Sequence, residues 1–228
     1  MLEGILGYER EAFLLLNGSH TAFLDSVAWL YSRRMVWIPL VLFLLAVLVY
    51  KVRWQQWVPV LLGFALVVLL CDQFSSHLCK PLFSRLRPTH HPDFMDQVHT
   101  VFGYRGGKYG FISGHAANAF GVGTFFALLF RTPLLTATVF LWATLMAYSR
   151  IYLGVHFISD IIPGILCGLF FGYLSYRLYL PGRRLLLRRE VEGVGYSPRR
   201  CRFMAFAILA TILAVFLFSP WLVPLSLP

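Results

Sequence analysis

WVPVLLGFALVVLLCDQFSSH, residues 57–77, decides the class of this molecule. No charge interrupts it from Trp57 to Cys71, and Asp72, Gln73, Ser75, Ser76 and His77 then crowd one end. Crossing a bilayer takes about 20 predominantly apolar residues. The stretch therefore predicts a spanning helix, Trp57–His77, whose polar end reaches an aqueous face. Outward from it, five more segments come near that length: Met35–Tyr50, His115–Phe130, Pro133–Ser149, Phe157–Leu180 and Phe203–Val223. Trp37, Tyr50, Trp54, Trp57 and Trp221 fall at segment ends, where interfacial aromatics belong. The expected fold is all-α: a polytopic membrane helix bundle of about six transmembrane helices.

Composition agrees. Only 13% of residues are charged, against about a quarter in soluble domains, and mean hydropathy is +0.69. Residues 1–228 read as a single domain with four parts. Residues 1–31 mix apolar side chains with Glu9, Arg10, Glu11, Asn17, His20 and Asp25, and read as amphipathic helices lying on the membrane surface. A poor seventh span is the alternative there. A five-helix core covers 35–180, a basic loop 181–202, and a last transmembrane helix 203–223. The N-terminus lacks a basic leader and a small-residue cleavage site, so no cleavable signal peptide is expected. Cys71, Cys79, Cys167 and Cys201 have no paired spacing, which argues against a disulfide framework or a zinc site.

The net charge of +10 is compatible with anionic lipid or an anionic substrate. Nucleic acid is excluded as a partner, because few basic residues lie outside the apolar runs and the 181–202 region. Six spans place 51–56, 131–132 and 181–202 on one face, with Lys51, Arg53, Arg131, Arg183, Arg184, Arg188, Arg189, Arg199, Arg200 and Arg202. Short loops rich in Lys and Arg face the cytoplasm. The loop 78–114 and the turn at 150–156 then face outside.

That outer face collects three polar pieces. KPLFSRLRP (80–88) offers Lys80 and Arg87 beside two prolines; Arg grips phosphate oxygens bidentately and Lys adds a point charge. SGH (113–115) places a capping Ser113, then Gly114 and His115, in a first helical turn, where backbone N–H groups and the helix dipole favour an anion. SRIYLGVHFISD (149–160) holds Arg150, His156 and Asp160. His156 and Asp160, four apart, share one helix face, so the carboxylate can fix the imidazole tautomer and free the other nitrogen as a nucleophile. Each piece alone has a plainer reading: a headgroup-facing basic loop, a capping serine, an interfacial histidine. Three cations, two histidines and an aspartate on one membrane face point instead to function, and phosphoryl transfer is the chemistry they fit.

In order and spacing, these three pieces resemble the signature motifs of the type 2 phosphatidic acid phosphatase superfamily, which includes membrane-bound bacterial lipid phosphatases and vanadium haloperoxidases. The resemblance implies a lipid phosphatase in which His156 attacks phosphorus, Asp160 orients it and His115 acts as general acid and then base. Lys80, Arg87, Ser113, Gly114 and Arg150 would bind the phosphate. It implies no metal and no cofactor. A lipid phosphate would be the substrate, with membrane lipids around it and no obligate protein partner. In a bacterium the enzyme would sit in the inner membrane with its site facing the periplasm. Ile112 stands where the family commonly has proline, a departure that bears on loop shape.

Lipid A phosphate, undecaprenyl diphosphate, phosphatidylglycerol phosphate and phosphatidic acid are the substrates the resemblance allows. Other readings are a phosphotransferase of the same fold, a vanadate haloperoxidase and, from another class, a lipid transporter. Arg105, Lys108, Tyr109, His90 and His91 in the outer loop are candidate headgroup contacts. His90, His91, Asp93, Asp96 and His99 form a weaker candidate metal cluster. Asp72, Gln73 and His77 are expected to hydrogen-bond toward the site, and glycines 121, 123, 164, 168 and 172 to allow close helix packing.

Overall fold

The computed structural model describes residues 2–187 and 196–225, and every regular element among them is helical. Two short helices open the chain, α1 (Leu2–Asn17) and α2 (Ala22–Ser32). Then follow α3 (Ile38–Val49), α4 (Trp54–Asp72), a short α5 (Lys80–Phe83), α6 (Gly114–Phe130), α7 (Pro133–Tyr152), α8 (Ile158–Leu187) and α9 (Pro198–Leu222). Each expected apolar segment is recovered as a helix, so the all-α bundle stands. Arg188 and Arg189 of the basic loop lie outside the described residues.

The spans differ in kind. Trp54–Phe83, Pro133–Tyr152, Ile158–Leu185 and Pro198–Leu222 are each long and apolar enough to cross a membrane. The expected span at Met35–Tyr50 is shorter than its apolar run suggests. Its α-helix, α3, has 12 residues, about 18 Å at 1.5 Å per residue, too short to cross alone. Only together with α2 does it reach spanning length, and the pair is bent by 71° at residue 33. The 17-residue α6 is also short for a crossing, and packs among α4, α7 and α8.

The N-terminal region divides in two. In α1, Glu9 pairs with Arg85 and Arg10 faces His91. By contrast α2 enters the bundle: Ser26 through Ser32 are all buried, and the helix packs on α7 and α9. Its apolar length carries Trp29 and Tyr31, and the acidic Asp25 sits in the first turn, where the helix dipole favours it.

Local sequence sets the helix ends that matter. Ser113 is extended, and its Oγ accepts from the Ala116 N–H to start α6. Pro133 opens α7, where its missing N–H costs nothing. Between α4 and α5 the helix widens into a π-helical turn, Gln73–Cys79, carrying Ser75 and Ser76. Such turns recur at functional sites; this one brings Lys80 to the cavity described below.

The most extensive helix pairing is α6 on α8. Small residues permit it: a Cβ on Gly168 would stand 2.4 Å from the Ala117 carbonyl oxygen, one on Gly172 2.5 Å from that of Gly121, and one on Gly164 2.8 Å from that of Ser113. Gly121 faces Val67 of α4 just as tightly, at 2.8 Å. Gly123 has only ordinary contacts. Four of the five expected packing glycines therefore form the seam.

Candidate active site

Three chain ends converge at one end of this seam: the start of α6, the start of α8 and the last turn of α7. Loop 84–113 closes over them. Its two arms zip together, with Leu86 opposite Tyr109, Arg87 N–H donating to the Lys108 carbonyl (3.2 Å) and Gly110 N–H to that of Arg85 (2.9 Å). A further backbone bond joins two of the motifs, from Ser113 N–H to the Asp160 carbonyl at 3.0 Å.

His156 and Asp160 are both fully buried. Asp160 Oδ2 lies 3.3 Å from His156 Nδ1 and accepts the Phe157 N–H at 3.0 Å. On the other ring edge, Arg87 Nη1 stands 2.9 Å from His156 Nε2, and the same nitrogen donates to the Val155 carbonyl at 2.8 Å. A guanidinium only donates, so Nε2 must accept. The proton is thereby assigned to Nδ1, facing Asp160, and the bare lone pair to Nε2. Burial first, then Arg87, Arg150, Lys80 and Arg85, hold the His156 pKa well below the usual histidine range. The ring is thus neutral at neutral pH. Burial and Arg150 also lower Arg87, to about 10, which leaves it charged.

The remaining motif residues gather around that nitrogen. Arg150 is buried, bonded through Nη1 to Ser32 Oγ and through Nη2 to Tyr104 OH at 3.4 Å. Lys80 Nζ donates to Ser76 Oγ at 3.1 Å, and Ser76 to Asp72 Oδ1 at 3.4 Å. This is the inward hydrogen bonding expected of Asp72. A Cβ on Gly114 would meet Ser75 Oγ at 3.0 Å and Lys80 Nζ at 4.0 Å, so the ammonium sits over bare backbone at the α6 N-terminus. His115 follows, half-buried. A cavity of about 970 Å³ is lined at one end by Lys80, Arg87, Gly114, His115, Arg150 and His156, and at the other by Trp37, Val41, Phe64, Val122 and Trp142. Those five apolar residues also line an adjoining, wholly apolar cavity of about 260 Å³.

Six of the expected site residues act differently in detail. Ser113 is fully buried with its Oγ committed to the helix cap, at 3.4 Å from Ala116 N. Arg105, Lys108, Tyr109, His90 and His91 are not among the cavity-lining residues. Arg105 and Lys108 offer carbonyls to Thr89 and Arg87, and His90 pairs with Thr89 Oγ1 at 3.1 Å. His91 faces Arg10 at 3.4 Å. Of the expected metal cluster, His99 gathers instead with His20 and Asp25.

Residues outside the three signatures complete the site. Arg85 Nη1 donates to Asp160 Oδ1 at 2.8 Å and to Ser159 Oγ, while Nη2 donates to Glu9 Oε2 at 2.8 Å. Glu9 Oε1 in turn accepts from the Ser159 N–H at 3.0 Å and from its hydroxyl. A line Glu9–Arg85–Asp160–His156 thus runs from α1 to the imidazole. The partners lie 76 and 75 residues apart, and no spacing in the sequence announces them. The one visible hint is a second arginine inside KPLFSRLRP.

Residues 56–184 match the sequence profile of the PAP2 superfamily. The chain is similar to the lipid A 4'-phosphatase of Porphyromonas gingivalis, with 47% identity over 80% of this chain and 77% of that protein. It is similar to the lipid A 4'-phosphatase of Bacteroides thetaiotaomicron, with 31% identity over 96% of this chain and 98% of that one. The undecaprenyl-diphosphatase of Sulfolobus acidocaldarius is 27% identical over 78% of this chain and 81% of its own length. Among solved structures, that of Aquifex aeolicus LpxE superposes with a TM-score of 0.53 and 30% identity, covering 73% of this chain and 93% of the other.

Proposed function

The chain belongs to the PAP2 superfamily, and from that premise we propose that it is an integral membrane lipid phosphatase acting on a lipid A phosphate. The observation that carries the chemistry is the imidazole of His156, held between Asp160 at Nδ1 and Arg87 at Nε2. The substrate phosphate displaces Arg87 from Nε2, so that its oxygens are gripped by Arg87, Arg150, Lys80 and the Gly114 N–H. Nε2 attacks phosphorus and the P–O bond to the lipid breaks. His115, protonated once the negative phosphate enters beside it, gives that proton to the departing lipid oxygen. The phosphohistidine is then attacked by water, whose proton His115 takes, and inorganic phosphate leaves. Each cation faces charge that develops in flight, and in a water-poor site such preorganised donors contribute most of the stabilisation. The chain's own cations supply that charge, so the mechanism calls on no metal.

Support for lipid A comes from two relatives of that name, one aligned along nearly the whole of both chains. The undecaprenyl-diphosphatase relative supports a polyprenyl diphosphate as the second reading. The same reading places the protein in the bacterial inner membrane. Arg183, Arg184, Arg199, Arg200 and Arg202 then lie at the cytoplasmic end and the cavity opens toward the periplasm.

The test is phosphate release by purified protein in detergent, with EDTA, from lipid A and undecaprenyl diphosphate, beside His156→Ala. Release from lipid A that the substitution abolishes and EDTA spares is the expected result. Release undiminished in His156→Ala overturns the phosphohistidine. Release that EDTA abolishes overturns metal independence.

A further inference from the structure

The motif residues account for only part of the cavity's polar lining. Arg34 stands at the break between α2 and α3, exposed and lining the cavity. Its side chain forms no hydrogen bond or ion pair with any described residue. Its neighbour Arg33 has the opposite fate, with the guanidinium 4.0 Å over the Trp29 ring. Of two consecutive arginines, one is used in packing and the other is left in the cavity. Arg34 is close enough to act electrostatically on both His115 and Arg150. Asn118, one turn along α6 from His115, lines the same cavity, and its Oδ1 is shielded from solvent without a partner.

Charge matching makes the point sharper. The cavity lining holds Lys80, Arg87, Arg150 and Arg34 against one carboxylate, Asp72. A phosphate ester carries about −1.5 to −2 at neutral pH. Three motif cations less Asp72 match a single phosphate, and Arg34 is the charge left over. Size agrees: about 970 Å³ is near the top of the roughly 300–1,000 Å³ range of ligand sites.

We propose that Arg34 forms a second anion subsite, taking a further acidic group, phosphate or carboxylate, on the substrate's headgroup, while Asn118 Oδ1 accepts from a hydroxyl or amide of the same headgroup. This rests on the phosphatase reading and narrows it. The headgroup carries at least two acidic groups, and only one of them reaches His156. An arginine suits the role because its planar fork binds an oxyanion bidentately.

The experiment compares two glycolipid substrates that differ by one non-reacting phosphate, each presented in neutral micelles to the full-length wild type, Arg34→Gln and Arg34→Lys. In the wild type, KM for the doubly phosphorylated lipid is expected to be about tenfold lower, the effect of one charge-assisted hydrogen bond. In Arg34→Gln that ratio falls to near one; in Arg34→Lys part of it survives. A wild-type ratio near one, or a ratio unchanged by Arg34→Gln, overturns the subsite. A preference that vanishes when phosphatidylglycerol is added to the micelles overturns it too, since Arg34 then answers to surface charge. Absence of phosphate release by the wild type from either lipid overturns the phosphatase reading itself, and the subsite with it. Thermal unfolding of the variants alongside the wild type separates a loss of fold from a loss of the subsite.

Discussion

Two histidine–aspartate pairs stand among the described residues, and the contrast between them shows what sets the proposed nucleophile apart. His20 and Asp25 are the tighter pair, 2.6 Å between Nδ1 and Oδ1, against 3.3 Å for His156 and Asp160. Yet His20 is walled in by rings. It stacks on His99 at 3.6 Å between centroids and meets the Tyr152 ring at a tilt, 4.3 Å away, and the Tyr152 hydroxyl donates to Asp25 at 2.7 Å. No lysine or arginine among the described residues bonds to either member. Nearby, Asn17 Nδ2 donates to the Tyr152 carbonyl at 2.8 Å, and Asn17 Oδ1 accepts the His99 N–H at 3.0 Å. This pair clasps the α1–α2 turn to the end of α7. His156 has Arg87 against its free nitrogen, Arg150 and Lys80 beside it, and a cavity in front. A dyad orients an imidazole; the cations and the open space beside it distinguish His156 from His20.

The comparison is broken most directly by exchanging the losses. His156→Ala is expected to cost roughly 10⁴-fold or more in kcat, the scale of removing a covalent nucleophile. His20→Ala should change kcat by less than about threefold. Comparable losses in the two variants would erase the distinction. Asp160→Asn follows, at about 10³-fold, because the amide lets the wrong tautomer form; rapid-quench detection of phosphoenzyme would show slower formation with binding intact. Arg87→Gln should cost about 10²-fold and also move the acid limb of kcat/KM. Arg87 helps to depress the His156 pKa. The wild-type rate should therefore persist below the usual histidine range as pH falls, and removing the cation should shift the decline to higher pH. A limb that stays in place would mean that His156 protonation does not set it. Glu9→Gln comes next, at about tenfold in kcat with KM little changed, since it acts on His156 only through Arg85 and Asp160. The smallest kinetic change is again at His20, where the effect should appear in stability. A loss of about 1–3 kcal/mol, the scale of a broken buried hydrogen bond, would be read from thermal unfolding.

Much of this arrangement is legible in the chain. KPLFSRLRP, SGH and SRIYLGVHFISD announce Lys80, Arg87, Gly114, His115, Arg150 and His156, which line one cavity, and Asp160, the i, i+4 partner of His156. The apolar runs likewise announce their helices. Other contributors leave no local trace. Glu9 meets Arg85 across 76 residues, and a surface-helix glutamate has the same spacing whether or not it meets one. Arg34 reads as one of two arginines flanking a span until the bend at residue 33 turns one toward the cavity. For α2, Asp25 and His20 suggest a wet surface. Tertiary pairing of these two, and burial of Trp29 and Tyr31, override that signal. The Trp57–His77 segment runs on to Phe83, because the π-turn keeps Ser75 and Ser76 within a continuous helix.

The glycine seam between α6 and α8 has a mechanical consequence. His115 rides on the first turn of one helix and Asp160 on the first turn of the other, so the spacing of the two helix axes also sets the gap between His115 and the His156–Asp160 pair. Gly168 lies about two turns below Asp160 and Gly172 about three. A single methyl added at either would wedge the axes apart from below, since it has 2.4–2.5 Å where a carbon needs more. The seam acts as a calliper, and its setting is fixed deep in the apolar bundle, far from Lys80, Arg87 and Arg150.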